Sequence, residues 1–502
     1  MPASQSWEIR TDTGNDNNGG GYDPAIGTSD YTYPTSSPIA YSDLVIAATT
    51  TNVSSAARAF VAADVGNTLN LTAVTGFTAG RYSVRSVAGG VATLDRAVGT
   101  AGSTSGAGRL GGALATPAAA IAAFVLYNTI WIRQATYTIA ASLTDATAGD
   151  ATSGINRLMG YGTVRGDNGQ ATLQLAAGAA ANSILFAPPH SGWTIQNLIF
   201  DCNAVAGSTG VAVWNFFSLT RCKVMNWRNA GASSAGGNLA VDESEFTGGT
   251  GTALYCHNNG VRVFGSYIHD LTGAGIDSAY YNSTCIGNVI SNVTNTGLTT
   301  SVNSVLLNNT VRGCGWDGIY LYGDTQGGII HNNLIDSNGG YGINLQYNES
   351  PIVGFFGNAF RGNTSGATQN AGALASQDIT VTADPFVNAA GLDFRLNNAA
   401  GGGALLRGTG MPSLLPGSAA PNSADVGGYR HATPPLALAV NSAGANPVLT
   451  WDADSRAATG YVISRGTTAT NKADIATVAL ATTTYTDTTA TSGTFFYGVA
   501  SY

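Results

Sequence analysis

Residues 261–300 read VRVFGSYIHDLTGAGIDSAYYNSTCIGNVISNVTNTGLTT, and one pattern passes through them twice. Val263, Ser266, Ile268, Leu271, Ile276 and Ser278 are answered 22 residues later by Cys285, Asn288, Ile290, Val293, Leu298 and Thr300. A fixed period of this length marks a stack of repeated coils rather than a single wound core. Outward from this stretch, Ile199, Val224, Phe246, Ile268, Ile290, Val311, Ile335 and Phe360 recur at spacings of 25, 22, 22, 22, 21, 24 and 25.

Companion columns run beside this reference column. Two positions earlier stand Asn197, Cys222, Ser244, Ser266, Asn288, Asn309, Asn333 and Asn358. Residues two apart on a strand share a face, so these side chains are predicted to point inward with the reference residues. The core ladder is expected to be Asn197, Asn288, Asn309, Asn333 and Asn358, whose amides would bond along the stack and satisfy one another. Eight positions after the reference stand Leu254, Ile276, Leu298, Ile319 and Ile343, the last four preceded by Gly275, Gly297, Gly318 and Gly342. A turn of positive φ is expected at those glycines. Coils of about 22 residues with three short strands predict a right-handed parallel β-helix over residues 114–400. The leucine–asparagine consensus of a leucine-rich repeat is absent.

Composition narrows the function. The chain has 502 residues, 44% of them hydrophobic, 66 glycines, 10% charged residues and net charge -8. Its two lysines are Lys223 and Lys472, and there is no basic run, so no nucleic-acid partner is expected. No stretch approaches the roughly 20 apolar residues of a membrane span. The opening MPASQSWEIR shows no basic-then-apolar leader. Cys202, Cys222, Cys256, Cys285 and Cys314 are an odd number and all fall in inward columns, so they are expected to be reduced core residues of a chain folded in a reducing compartment.

The repeat resembles the pectate-lyase-like β-helix superfamily over about 280 residues, which implies the fold and leaves function open. Residues 1–40 form a polar segment, expected as an anchor; Asp12 and Asp16, with neighbouring asparagines, offer oxygen ligands for calcium. Residues 41–113 form a small β-rich module whose strands include Phe60–Gly66, Gly80–Val84 and Gly90–Leu94, similar to modules ahead of the β-helix in bacteriophage virion proteins. Thr116 and Pro117 are suited to start a short capping helix. Residues 401–435 are Gly/Pro-rich and read as a closing segment and linker. Residues 436–502 resemble a fibronectin type III domain through Leu449-Thr450-Trp451, Gly460–Arg465, Tyr485-Thr486-Asp487 and Phe495–Val499, which implies a β-sandwich with Trp451 in its core and Tyr497 at a tyrosine corner. The fold class is therefore all-β.

No catalytic residue is assigned. The adjacent aspartates, Gly-His-Gly and Arg-x-Lys of polygalacturonases are missing, and no lysine lies between Lys223 and Lys472 to serve a lyase. Asp242, Glu243 and Glu245 form the densest acidic group, with Asp242 and Glu243 on opposite faces by alternation. Asp277 and Asp317 lie two coils apart, roughly 10 Å by strand spacing, and are read as turn residues. His257, His269 and His331 occupy different columns and do not stack into a metal site. No cofactor is expected. Tyr255 and Tyr320 share an outward column, with Tyr280, Tyr281, Tyr322 and Tyr347 just beyond; these rings suit packing against a neighbouring subunit or stacking on a sugar.

The layout resembles virion proteins of tailed bacteriophages, such as tailspikes and capsid decoration or vertex spikes. That resemblance implies a non-enzymatic homotrimer on the virion surface, assembled in the host cytoplasm. It would be held to capsid or tail proteins through its N-terminal part and contact host-surface polysaccharide at its tip. The alternative is a polysaccharide lyase or hydrolase on the same fold, secreted or at a cell surface.

Overall fold

A computed structural model describes residues 6–20, 38–47, 49–122, 129–144, 155–179, 183–187, 192–214, 216–236, 238–256, 260–278, 283–301, 304–323, 328–346, 354–370, 378–410, 425–427, 439–441, 446–451, 460–467, 472–479, 482–490 and 495–501. They form two compact units, residues 1–381 with 409–428, and residues 382–408 with 429–502. The first unit is a parallel β-helix carrying a small barrel. Each coil contributes one strand to each of three sheets. Sheet I, containing Val261–Phe264, has eleven strands. Sheet II, containing Tyr267–Leu271, also has eleven, and sheet III, containing Ile276–Ser278, has ten. Pairing is parallel from rung to rung, as in Phe246 to Ile268 to Ile290 to Val311.

Two corners of the coil are made by single residues in the left-handed region. Between sheets I and II these are Asn197, Arg221, Glu243, Gly265, Gly287, Asn308, Asn332 and Gly357, with φ from 49° to 68°. After sheet II they are Asn226, Gly248, Asp270, Asn292, Gly313, Ser337 and Gly362. Glycine and asparagine tolerate this conformation best, which explains their abundance at these positions. Gly275, Gly297, Gly318 and Gly342, expected at a positive-φ turn, are not in that region. They are glycine because rungs press together there: a Cβ on Gly275 would lie 2.3 Å from the carbonyl oxygen of Gly297, and one on Gly342 2.6 Å from that of Ala367.

The interior is a continuous apolar column. Val241, Val263, Cys285, Leu306, Ile330 and Phe355 come from sheet I, Val224 to Phe360 from sheet II, and Leu254 to Ile343 from sheet III, all buried. Each such aliphatic side chain contributes about 1.5–3 kcal/mol on burial. All five cysteines are free and buried in this column. Beside it runs the polar ladder. Asn288 Nδ2 donates to Asn309 Oδ1 at 3.0 Å, Asn309 Nδ2 to Asn333 Oδ1 at 2.9 Å, and Asn333 Nδ2 to Asn358 Oδ1 at 3.0 Å. Ser244 and Ser266 continue it toward Cys222 by accepting backbone N–H bonds at 3.1 Å. Asn197 is not a rung of this ladder. It is the corner residue of its coil, with φ 56°, and Leu198 takes the inward position. The reference position there is likewise Phe200, which pairs with Val224, whereas Ile199 pairs with Lys223 and is half-buried. In Leu198-Ile199-Phe200 three consecutive apolar residues leave the alternation without a parity.

Part of the N-terminal segment belongs to the β-helix itself. Ser6–Ile9 is a strand of sheet I, paired in parallel with Thr129–Ile132. Trp7 and Ile9 enter the core, and Glu8 is buried against Arg10 and Arg165. Residues 38–110 hold a closed six-stranded barrel from Ile39–Ile46 to Gly106–Leu110. Phe60–Gly66, expected as a strand, instead contains a one-turn 3-10 helix at Ala62–Asp64, because Asp64 accepts the Val61 N–H and two bonds from Arg58. Thr116 caps the helix Pro117–Ala122 by accepting the Ala119 N–H at 3.2 Å.

At the other end, Asp425–Gly427 does not behave as linker. Val426 is buried, Asn308 Nδ2 donates to the Asp425 carbonyl at 2.8 Å, and the Gly427 N–H donates to the Asn332 carbonyl at 2.8 Å. This strap lies over Thr310 and Leu334 of sheet II. The second unit contains two three-stranded antiparallel sheets packed around Leu449, Trp451, Tyr461, Ile463 and Val499.

Candidate functional site

The outer face of sheet II carries the densest charge. Lys223, Glu245 and Tyr267 are consecutive rungs of one outward column, and Thr247, His269 and Ser291 of the next. Lys223 Nζ donates to Glu245 Oε1 at 2.8 Å, and His269 Nε2 meets the same oxygen at 3.2 Å. His269 Nδ1 lies 2.8 Å from Asp270 Oδ2, and the imidazole stacks on Tyr267 with centroids 4.0 Å apart. Burial works against ionisation of Glu245, but the bonds from His269 and Lys223 outweigh it and hold the carboxyl below its ordinary range. A general acid requires the opposite shift. This is a closed ionic network suited to binding rungs together. Three coils on, Asp336 is fully buried between Arg312 at 3.3 Å and Arg361 at 2.6 Å.

Sheet I presents a different arrangement. Its outer face holds a groove of about 520 Å³ lined by Phe216, Ser218, Thr220, Ala240, Asp242 and Arg262 among others. Its floor is concave because Ser218 and Ala240 are small and Arg262 on the next rung is large. Arg262 donates to Asp242 Oδ2 at 3.3 Å and lies over Phe264, 4.9 Å from the ring centroid. Burial pushes the Asp242 carboxyl above its ordinary value, with Arg262 acting against the shift. Asp242, Glu243 and Glu245 thus diverge: the first faces the sheet I groove, the second sits at the φ 49° corner, and the third joins the sheet II network.

Residues 204–365 match the family model of the right-handed β-helix region. The crystal structure of pectate lyase Pel9A is similar at 14% sequence identity and TM-score 0.40, covering 64% of this chain and 92% of that one. No curated protein matches.

On the β-helix, Tyr255 and Tyr320 are half-buried in one outward column of sheet III, but Asp277 and Thr299 stand between them. Three rungs separate the two rings by roughly 14 Å, so they are not one continuous stacking platform. Tyr322 pairs with Ser301. Tyr280, Tyr281, Tyr347 and His257 lie outside the described residues. Asp277 and Asp317 are not brought into one column: Asp277 pairs with Tyr255 and Thr299, while Asp317 accepts the Tyr341 N–H at 2.6 Å and Asn344 Nδ2 at 2.8 Å. His331 lies edge-on to Phe356 on sheet I, and burial lowers its pKa. Asp12 pairs with Arg133 at 2.6 Å, and Asp16 accepts the N–H groups of Ala115 and Thr116. Both carboxylates are therefore engaged by the protein itself: Asp12 ties the N-terminal segment to the strand Thr129–Arg133, and Asp16 ties it to the start of the capping helix.

Two features escape a column-by-column reading of sequence. Glu245 and His269 meet diagonally, one before and one after the reference residue on adjacent rungs, a separation long side chains bridge. Trp214, Phe216 and Trp316 are 44%, 43% and 64% exposed, and they sit in turns outside the repeating columns.

Proposed function

We propose that this chain is a non-enzymatic structural protein of a tailed-bacteriophage particle, a tailspike or a capsid decoration or vertex spike, whose β-helix serves as a rigid shaft. The observation that carries this is the pairing of outer-face charge along the stack. Glu8 and Asp336 are each held by two arginines and Glu245 by Lys223 and His269, an arrangement that ties rungs together and occupies these carboxylates with structural partners. In this proposal the barrel joins other capsid or tail proteins. The second unit is a fibronectin III-like tip, supported by Trp451 in its core and by the Tyr497 hydroxyl donating to buried Asp487 at 2.9 Å. Host-surface polysaccharide is the proposed target, and a homotrimer the proposed assembly.

Light scattering of the purified chain tests it. A mass of about three times 50.9 kDa is expected; a monomer overturns the spike reading. A second reading, polysaccharide lyase or hydrolase, is favoured by the raised Asp242 carboxyl beside Arg262. Release of reducing or unsaturated ends from capsular polysaccharide would establish it in place of the first.

A further inference from the structure

We propose that the groove on the outer face of sheet I is a saccharide-binding site for uncharged hexose units, with Phe216 as stacking platform and Asp242 with Arg262 as the hydroxyl-binding pair. The proposal rests on the glycan contact proposed above and gives it a location on the shaft rather than at the tip.

Four observations converge there. Phe216 exposes 43% of its surface at the groove, in a turn where nothing in the repeat requires an aromatic residue. An aromatic face matches the apolar C–H face of a pyranose. Asp242 is the groove's carboxylate: Oδ2 takes the Arg262 bond, while Oδ1 has no protein hydrogen-bond partner among the described residues. Oδ1 is open to the groove, so adjacent sugar hydroxyls can donate to it in place of solvent. Arg262 is oriented by its position over Phe264 and keeps more than half of its side chain exposed, so its remaining N–H groups are available to ring and hydroxyl oxygens. Lastly, the small floor residues Ser218 and Ala240 open a depression two rungs long, about 10 Å at the strand spacing, which is room for one or two sugar rings. The carboxylate and guanidinium offset each other, which favours an uncharged saccharide over a uronate.

Saturation-transfer NMR on the full chain provides the test, with cellohexaose, maltohexaose and laminarihexaose as neutral probes and hexagalacturonate as the acidic one, all at millimolar concentration. Transfer to the ring protons of at least one neutral probe is expected. Phe216→Ala should raise its Kd by roughly 3- to 10-fold, Asp242→Asn should weaken it similarly, and Trp316→Ala should leave it unchanged. Phe216 is exposed, so its truncation leaves the fold intact, which circular dichroism verifies. The proposal is overturned if no neutral probe receives transfer, if only hexagalacturonate does, or if Trp316→Ala weakens binding as much as Phe216→Ala. A trimer without saccharide transfer removes this site and keeps the spike; a monomer with it does the reverse.

Discussion

Asn333→Ala is the substitution that most directly tests the interior ladder. Asn333 is fully buried and makes four bonds through its side chain. Nδ2 donates to the Leu306 carbonyl at 2.9 Å and to Asn358 Oδ1 at 3.0 Å, while Oδ1 accepts the Asn309 N–H and Asn309 Nδ2, both at 2.9 Å. Truncation strands the Asn309 N–H, one amide proton of Asn309 and the Leu306 carbonyl. Asn358 Oδ1 retains the Asn333 backbone N–H. At about 1–3 kcal/mol per stranded buried group, and allowing water to enter the space left, a local loss of about 4 kcal/mol is expected. Asn197→Gly is the internal control. Its φ of 56° suits glycine, and the bonds it forfeits are one from the partly exposed Arg221 and a long one, 3.4 Å, donated to the Gly160 carbonyl, so only about 1 kcal/mol should be lost. Because long stacks unfold in parts, the assay is hydrogen exchange of native-state peptides rather than one global transition. Amides of residues 305–312 should lose protection by roughly two to three orders of magnitude in Asn333→Ala, and those of 198–201 should barely change in Asn197→Gly. Equal effects of the two substitutions would refute the ladder as a source of stability.

Asp378 occupies the rung beyond Asn358, and burial raises its carboxyl to about 7, against the pull of Asn358's donors. Since a raised carboxyl binds its proton more tightly in the folded state, its stabilisation is full below the ordinary value near 3.8 and is lost as pH rises through about 7. Local protection of residues 354–361 should therefore fall by up to roughly 2 kcal/mol over that window, and Asp378→Asn should flatten the profile. Burial pushes the thiols of Cys202, Cys222 and Cys285 up to about 12, so they should resist alkylation in native protein and react only after denaturation; rapid native labelling would contradict the core assignment. Asp336→Ala should cost about 3 kcal/mol or more by leaving Arg312 and Arg361 facing each other, whereas Arg312→Met, Asp336→Leu and Arg361→Met combined should restore most of it, as read by hydrogen exchange of residues 334–336.

The coil stack was legible because a period of about 22 residues repeats while side-chain parity holds. Ile268, Ile290 and Val311 are each followed by a polar residue, His269, Ser291 and Arg312, so one parity is preferred. Leu198-Ile199-Phe200 offers no such contrast, and the corner residue Asn197, chemically identical to a ladder residue, reads as inward from sequence. Residues 6–9 were missed for another reason: a four-residue strand distant from the first repeat has no neighbour in sequence to reveal its period, and its partner, Thr129–Ile132, lies beyond the whole barrel. The groove residues are likewise invisible to periodicity. Phe216 belongs to a turn, and Ser218 and Ala240 matter by being small, a property that shows only when rungs are stacked.

From Val224 onward, the two left-handed corners leave the coil elastic on one side only. From sheet I to sheet II the inward positions are five residues apart from Ile195 onward, as in Val241 to Phe246 and Phe355 to Phe360, whereas Leu158 and Leu173 of an earlier coil are fifteen apart. From sheet II to sheet III they are eight apart from Val224 onward, as in Ile268 to Ile276 and Ile335 to Ile343. The return to sheet I takes up the slack, nine residues from Ile276 to Cys285 but twelve from Ile343 to Phe355. Insertions are therefore free to accumulate along a single seam, where Phe216 and Asn238 also lie, without shearing the rungs. That seam is the margin on which such a protein can change what it touches while its shaft stays the same, and the natural place to graft a foreign loop.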